Sequence, residues 1–464
     1  MLRRKAYDAL MEWKGRPHKP LLVKGQRQVG KTFIIEAFAK KNYAYFVNID
    51  FRSDKDARKV FSGNLDVDSM IRGLEILYPD AVFEPGSTLI LFDEIQDCPQ
   101  AYSSLKYFAL DGRYDVIGSG SLLGVALNRA EKEERMDDIP SVPVGFTEHL
   151  TMYSLDFEEF LWALGLGQEI TERIKGNIAS MTPYDRPILD DLSRYYSIFT
   201  IVGGMPEAVS KYLDTRDIQE VRKVQGKIVD GYREDISKYA DPKDKDKIIA
   251  CFDSIPLQLS KESKKFSYKF IDSEFVPTYR TYESSINWMK DAAMIEMCCN
   301  VSAPSEPLEE HVIDSQFKIY MRDTGLLVYM LGLNAAKSIL SGDTRVNRGA
   351  IAENAVAEGI RKNGFRLRYF KADALGIDFI AVLGSIVTAI DVKSGNNRQA
   401  KSLRSVKDKY RVRRRMKFEK TNIYKDDEGV EHYPLFACAF MEEMAPRPQV
   451  DLSIDTSEFL KRFA

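Results

Sequence analysis

The residues best placed to do chemistry are Gly25, Gln26, Arg27, Gln28, Val29, Gly30, Lys31 and Thr32, which fit the pattern G-x-x-x-x-G-K-[ST]. Glycines at the fixed positions let backbone N–H groups curl around an anion with no Cβ in the way. A helix opening near Lys31 would aim its positive dipole end at the same anion. Lys31 can reach the β- and γ-phosphates, and the Thr32 hydroxyl is placed for Mg²⁺. The apolar run Leu21–Val23 before the loop and the helical pattern after it supply the strand and helix that this loop needs. The expected ligand is a nucleoside triphosphate held by Gly25–Thr32.

A second group is acidic. Asp93-Glu94 follows the apolar run Thr88–Phe92. At the end of a buried strand, Asp93 would hold Mg²⁺ through its water shell and Glu94 would orient or deprotonate an attacking water. Ser119, within Gly118-Ser119-Gly120-Ser121, follows another apolar run. It would either sense a γ-phosphate or belong to a plain glycine turn. A carboxylate at Glu94 argues for hydrolysis over binding alone. No Asn-Lys-x-Asp sequence is present to select guanine, so ATP with Mg²⁺ is expected.

A third group lies near the other end. Glu353 sits mid-way along the amphipathic stretch 347–362, Asp378 in an apolar run, and Asp391 and Lys393 in the pattern D-x-K. On a strand, positions i and i+2 share a face, so Asp391 and Lys393 would point together. With Glu353 and Asp378 they would complete an acidic pocket for Mg²⁺, Lys393 serving the water that attacks a phosphodiester. Downstream, Lys401–Lys420 carries ten Lys or Arg against Asp408 and Glu419, with five basic residues in RVRRRMK. Such a run is either a solvated face or a grip on nucleic acid, here DNA.

Strands and helices must position these groups. Residues 1–195 read as helix 1–14, helix 33–40, strand 44–49, helix 66–78, strand 88–92 and strand 114–117 around the loop. Alternating strands and helices imply an α/β, doubly wound parallel sheet with its chemistry at the carboxyl ends of the strands. Residues 196–335 form a connector. Gly203-Gly204-Met205-Pro206 makes a turn into a helix, with packing and hinge roles. Helices 245–259 and 281–292 and strands 294–301 and 316–321 then predict a winged-helix module. Its last helix, SSINWMKDAAM, has one lysine and its wing, PSEPLEE, is acidic. A structural coupler is therefore favoured over a DNA reader. Lys261, Lys264, Lys265 and Lys269 form a nearby basic patch, equally readable as a solvated face. Residues 336–464 make a third, α/β unit.

Composition excludes broad classes. A net charge of −2 gives no global attraction to nucleic acid or membrane, so any basic surface must be local. No apolar run is long enough for a membrane span, and MLRRKAYDALMEWKG lacks a signal-peptide core. Cys98, Cys251, Cys298, Cys299 and Cys438 form no C-x-x-C pair, and the four histidines are scattered. A zinc site or disulfide framework is not expected, and a reducing cytoplasm is.

GQRQVGKT, LILFDEIQDCP, VIGSGSLLG and PVGFTEHLTMYSLDFEEFL, in this order, resemble a prokaryotic AAA+-like ATPase family. Its members carry a C-terminal restriction-endonuclease-like domain of uncertain function. The resemblance implies Gly25–Thr32 for phosphate, Asp93 for magnesium, Glu94 for water activation and Ser119 as sensor. The helix Glu, strand Asp and Asp-x-Lys order resembles the PD-(D/E)xK nuclease core, with Gly376 where relatives commonly have Glu. Another departure is Phe146, where many relatives have a basic residue. Arg129, Arg135 or an arginine from a partner or second copy would then have to assist hydrolysis. Two functions compete: ATP turnover that gates or moves a nucleic-acid-binding, cleaving tail, and a nucleotide switch whose tail is an inert docking module. A metabolic kinase is the weaker third, since no acceptor-substrate signature follows the loop.

Overall fold

The computed structural model describes residues 2–121, 143, 145–271, 279–341, 348–394 and 401–446. Arg129, Arg135 and residues 395–400, just before the basic run, lie outside them. The first layer is a five-stranded sheet of β1 (Leu21–Gly25), β2 (Tyr45–Asp50), β3 (Thr88–Asp93), β4 (Asp115–Gly120) and β5 (Glu148–Met152), in the order β2-β3-β4-β1-β5. Every pairing is parallel. Such a sheet needs apolar residues on both faces, and the strand sequences supply them in alternation. Leu89 and Leu91 of β3 join the core on one face, while Ile90 and Phe92 join the core on the other. Helix Lys31–Asn42 packs Ile34, Ile35 and Phe38 into the first core, and helices Val67–Leu77 and Pro99–Asp111 pack Met70, Leu74, Leu105 and Phe108 into the second. Because β4 lies between β1 and β3, three neighbouring carboxyl ends bring Gly25, Ser119 and Asp93 side by side.

The second sheet has eight strands: β6 (Ile295–Val301), β7 (Val312–Met321), β8 (Arg368–Ala372), β9 (Leu375–Leu383), β10 (Ile386–Val392), β11 (Arg414–Glu419), β12 (Tyr424–Lys425) and β13 (Glu431–Pro434). Their order is β12-β13-β11-β10-β9-β8-β6-β7. This changes the winged-helix expectation. The hairpin β6–β7 is not a free wing, because β6 pairs in parallel with β8 from Cys299↔Arg368 to Val301↔Phe370. The cause is apolarity: β6 is buried nearly throughout and needs a neighbour on each edge. A boundary at residue 335 thus falls between strands that share one sheet. Helix Arg348–Lys362 lies across that sheet, contacting β7 and β10.

Other differences are local. β4 continues through Gly120, so Ser119 is a strand residue and not part of a glycine turn. Lys393 stands just beyond β10, its N–H donated to the Phe418 carbonyl at 2.9 Å. Among the described residues no helix is long and apolar enough to cross a membrane. All five cysteines are buried and none is in a disulfide.

Candidate functional site

The phosphate loop is shaped by contacts that its residue types dictate. Gly25 closes β1 so near β5 that a Cβ would overlap the Met152 carbonyl. Gln28 (φ 65°) and Gly30 (φ 88°) take left-handed conformations that turn the backbone back on itself. Helix Lys31–Asn42 starts at Gly30 with no side-chain cap, which leaves its first N–H groups to an external acceptor. The Lys31 ammonium is buried and donates to the carbonyls of Gly25 (3.0 Å) and Gln26 (2.9 Å). Burial pushes its pKa down to about 8, against the opposing pull of Glu94 and Asp93.

Asp93 is the hub of the acidic side. Thr32 Oγ1 donates to Asp93 Oδ2 at 2.9 Å, Ser119 Oγ donates to Oδ1, and the Glu94 N–H reaches Oδ1 at 3.0 Å. Loop, β3 and β4 therefore meet on one carboxylate. The Thr32 hydroxyl and Asp93 are two hard oxygen donors brought together from the loop and β3, a donor set of the kind that fits Mg²⁺. Glu94 has φ 49°, which swings its side chain out of the strand direction. Its Oε2 accepts from Arg52 Nη2 (3.0 Å), Gln96 and Ser121 Oγ (3.4 Å), and Arg52 Nε also reaches Asp97 (3.2 Å).

Several supports of the loop carry no sequence motif. Arg52 was invisible as a motif, although β2 and β3 pair Asp50 with Asp93, so a residue just past β2 must lie beside Glu94. Arg4 is buried and donates to the carbonyls of Val29 (3.1 Å) and Tyr153 (2.6 Å) and to Glu159 (3.2 Å). It props the loop from the N-terminal segment. Helix Ile218–Tyr239 of the connector lies on the loop: Gln26 donates to Tyr232 OH at 3.3 Å, and Arg27 pairs with Asp235. Nothing in the sequence links residues so far apart. Phe146 carries the Lys106 ammonium 5.5 Å from its ring centre, so a cation lies beside the position where the basic residue is missing.

In the tail, the structure brings Glu353, Asp378, Asp391 and Lys393 together, but not as an open Mg²⁺ pocket. Glu353 Oε1 accepts from Lys318 Nζ (2.8 Å) and Tyr320 OH (2.5 Å), and Oε2 accepts from Lys264. Lys393 Nζ is 2.9 Å from Asp391 Oδ1 and 3.9 Å from Asp378 Oδ2, which also accepts the Val392 N–H at 2.9 Å. Lys318 is 3.9 Å from Asp378 Oδ1. Burial alone would lower the Lys318 pKa, yet Glu353 and Asp378 hold it above its ordinary value. Among the described residues no group of three or more His, Cys, Asp or Glu is arranged to hold a metal ion. Lysine ammonium groups stand against carboxylates of the expected metal set Glu353, Asp378 and Asp391: Lys264 and Lys318 on Glu353, and Lys393 on Asp391. Lys264 itself belongs here and not to a solvated face.

The basic run divides in the same way. Within RVRRRMK, β11 is buried on both faces from Arg415 on, and there Arg415 donates to the Glu428 carbonyl and Lys417 pairs with Glu419 at 2.8 Å. Arg414 pairs with Glu431 at 3.0 Å. Lys407, Lys409, Arg411, Arg413 and Lys420 remain exposed.

Residues 17–161 match the family model of an AAA domain. With the loop, the Asp93 hub and the parallel sheet, this part of the chain resembles an AAA-type P-loop domain on an α/β fold. Residues 193–337 and 348–435 each match a model described as a domain of unknown function (DUF8612 and DUF4143). No curated protein matches the sequence. Among solved structures, the chain is similar to a Walker-type ATPase of Pyrococcus abyssi, at 14% identity and a TM-score of 0.44 over 71% of this chain and 96% of that one. It is also similar to AMPPCP-bound DnaA from Aquifex aeolicus, at 12% identity and a TM-score of 0.29 over 75% and 91%.

Proposed function

We propose that the protein binds and hydrolyses ATP and that turnover is transmitted through the connector to a DNA-binding tail. The observation that carries this reading is the meeting of Thr32, Ser119 and Asp93 beside Glu94 and Lys31. The backbone of Gly25–Gly30 and the start of helix Lys31–Asn42 bind the phosphates, and Lys31 leaves two carbonyls to pair with phosphate oxygens. Thr32 and Asp93 would hold Mg²⁺, which supplies charge neutralisation at the phosphates. Glu94 takes the proton of the attacking water, with Arg52 fixing its orientation. Ser119 donates toward this centre from β4.

Two contacts support transmission. Helix Ile218–Tyr239 touches the loop through Tyr232 and Asp235. Lys362, at the end of the helix bearing Glu353, donates to Ser154 Oγ (3.0 Å) and the Leu155 carbonyl (2.8 Å) just past β5. Exposed Lys407, Lys409, Arg411, Arg413 and Lys420 provide the cationic surface for phosphates. Addition of duplex or single-stranded DNA should raise the ATPase rate, and replacing Lys407, Lys409, Arg411 and Arg413 by Glu should abolish both DNA retardation and that response. A rate indifferent to DNA, with no retardation, favours the second reading, a nucleotide switch with a protein-docking tail. The lysines on Glu353 are the observation behind that alternative, since they argue against cleavage.

A further inference from the structure

We infer that Lys264 and Lys318 take the place of a divalent ion in the tail, making it a metal-free, charge-neutral centre. The inference is independent of the ATPase reading. Charge balance carries it. Glu353, Asp378 and Asp391 bring three negative charges to one region, and Lys393 alone would leave two uncompensated, the charge a dication would match. Lys264 and Lys318 supply those two positive charges from outside the D-x-K arrangement. A dication added to this set would be left without counter-charge in a largely buried place, where uncompensated charge is expensive.

Geometry agrees with the charge. A hard cation needs carboxylate oxygens facing it at roughly 2.0–2.6 Å. Each oxygen of Glu353 is paired with an ammonium group, Oε1 with Lys318 and Oε2 with Lys264, whereas the oxygens of Asp93 accept only from neutral hydroxyl and backbone N–H groups. Lys318 is fixed as well as paired. It is a buried residue of β7 whose ammonium lies 5.0 Å from the Tyr369 ring centre and 5.8 Å from that of Phe379. Two aromatic faces and a carboxylate replace its water shell. Lys264 arrives from the segment after helix Lys245–Leu259, so the connector contributes to the tail's own centre. Lys264 and Lys318 therefore join 193–337 to 348–435 electrostatically, as β6 joins them through hydrogen bonds.

The sign of one stability change separates a lysine-filled centre from a metal site. In metal-free protein, an unfilled acidic site is relieved by losing a carboxylate, so Glu353→Gln would raise the melting temperature. In a lysine-filled centre the same change takes the carboxylate from one buried ammonium group, Lys318, and one half-buried, Lys264, and lowers it. The full chain should be melted without nucleotide in EDTA, as wild type and E353Q, and titrated with Mn²⁺ calorimetrically as wild type, D391N and the Lys264→Met/Lys318→Met double variant. The expected results are a melting temperature several degrees lower for E353Q and no Mn²⁺ isotherm that D391N removes. The double variant, if folded, should gain a Mn²⁺ site. If it does not fold, the first two readouts still decide. A higher melting temperature for E353Q, a wild-type Mn²⁺ site lost in D391N, or a folded double variant that binds no Mn²⁺ would overturn the inference.

Discussion

Lys31 and Glu94 show how far single residues are governed by what surrounds them. Lys31 has no carboxylate in direct contact, so burial dominates and its pKa drops to about 8 from 10.5. Between those values the unfolded chain binds a proton that the folded protein lacks, so this group's contribution to stability rises with pH from about 8 to 10.5. A phosphate beside Lys31 reverses the preference and favours the ammonium. ATP binding should therefore take up a proton at pH 8–9 and weaken as pH rises through that range, read as a buffer-dependent calorimetric enthalpy; proton release on binding would contradict this. Glu94 is governed by Arg52. Loss of one charge-assisted orienting contact is worth about 1.5–3 kcal/mol, so Arg52→Ala should lower kcat roughly 10–100-fold with a smaller change in KM for ATP. Steady-state kinetics checks it, and an unchanged kcat would remove Arg52 from the account.

At the scale of elements, most of the ATPase layer was legible. The strands around Leu21 and Thr88 have apolar runs that a sheet covered on both faces can bury, and the loop's glycines mark where it turns. β4 was read short because Gly118 and Gly120 look like a turn. In the structure Gly118 is a strand residue where a Cβ would crowd Leu22 and Ile95. The hairpin β6–β7 was found, but its partner was not, because strand pairing across distant sequence leaves no local signal. The packing role expected of Gly203-Gly204 has a specific cause. A Cβ at Gly204 would overlap the Leu155 backbone, and the Gly204 N–H donates to the buried Asp323 at 2.8 Å. Gly204→Ala should therefore cost roughly 1–3 kcal/mol through overpacking, read in a denaturant melt, whereas substitution at exposed Gly63, where a Cβ meets nothing, should be near neutral.

Across the whole molecule, the sequence displayed two sets of chemical residues and concealed how they are joined. Arg27 and Asp235, Arg4 and Val29, Lys362 and Leu155, and Lys264 and Glu353 are all far apart in the chain, and each pairing depends on the tertiary fold. Two of those pairs, Arg27–Asp235 and Lys264–Glu353, make the connector part of both sites. Lys264 and Lys318 also change what the tail's Asp-x-Lys means, because the charges that decide it come from outside the motif. The central claim nevertheless stays at Gly25–Thr32 and Asp93-Glu94, the residues to which the proposed ATP hydrolysis is assigned. Phosphate release from ATP should be measured alongside nucleotide binding for wild type, Lys31→Ala and Glu94→Gln. Wild type should turn over, K31A should neither bind nor hydrolyse, and E94Q should bind ATP while its turnover falls by about 10²–10⁴-fold, as for loss of a general base. Undiminished turnover in E94Q, or no turnover in the wild type with any addition of DNA, would contradict the account.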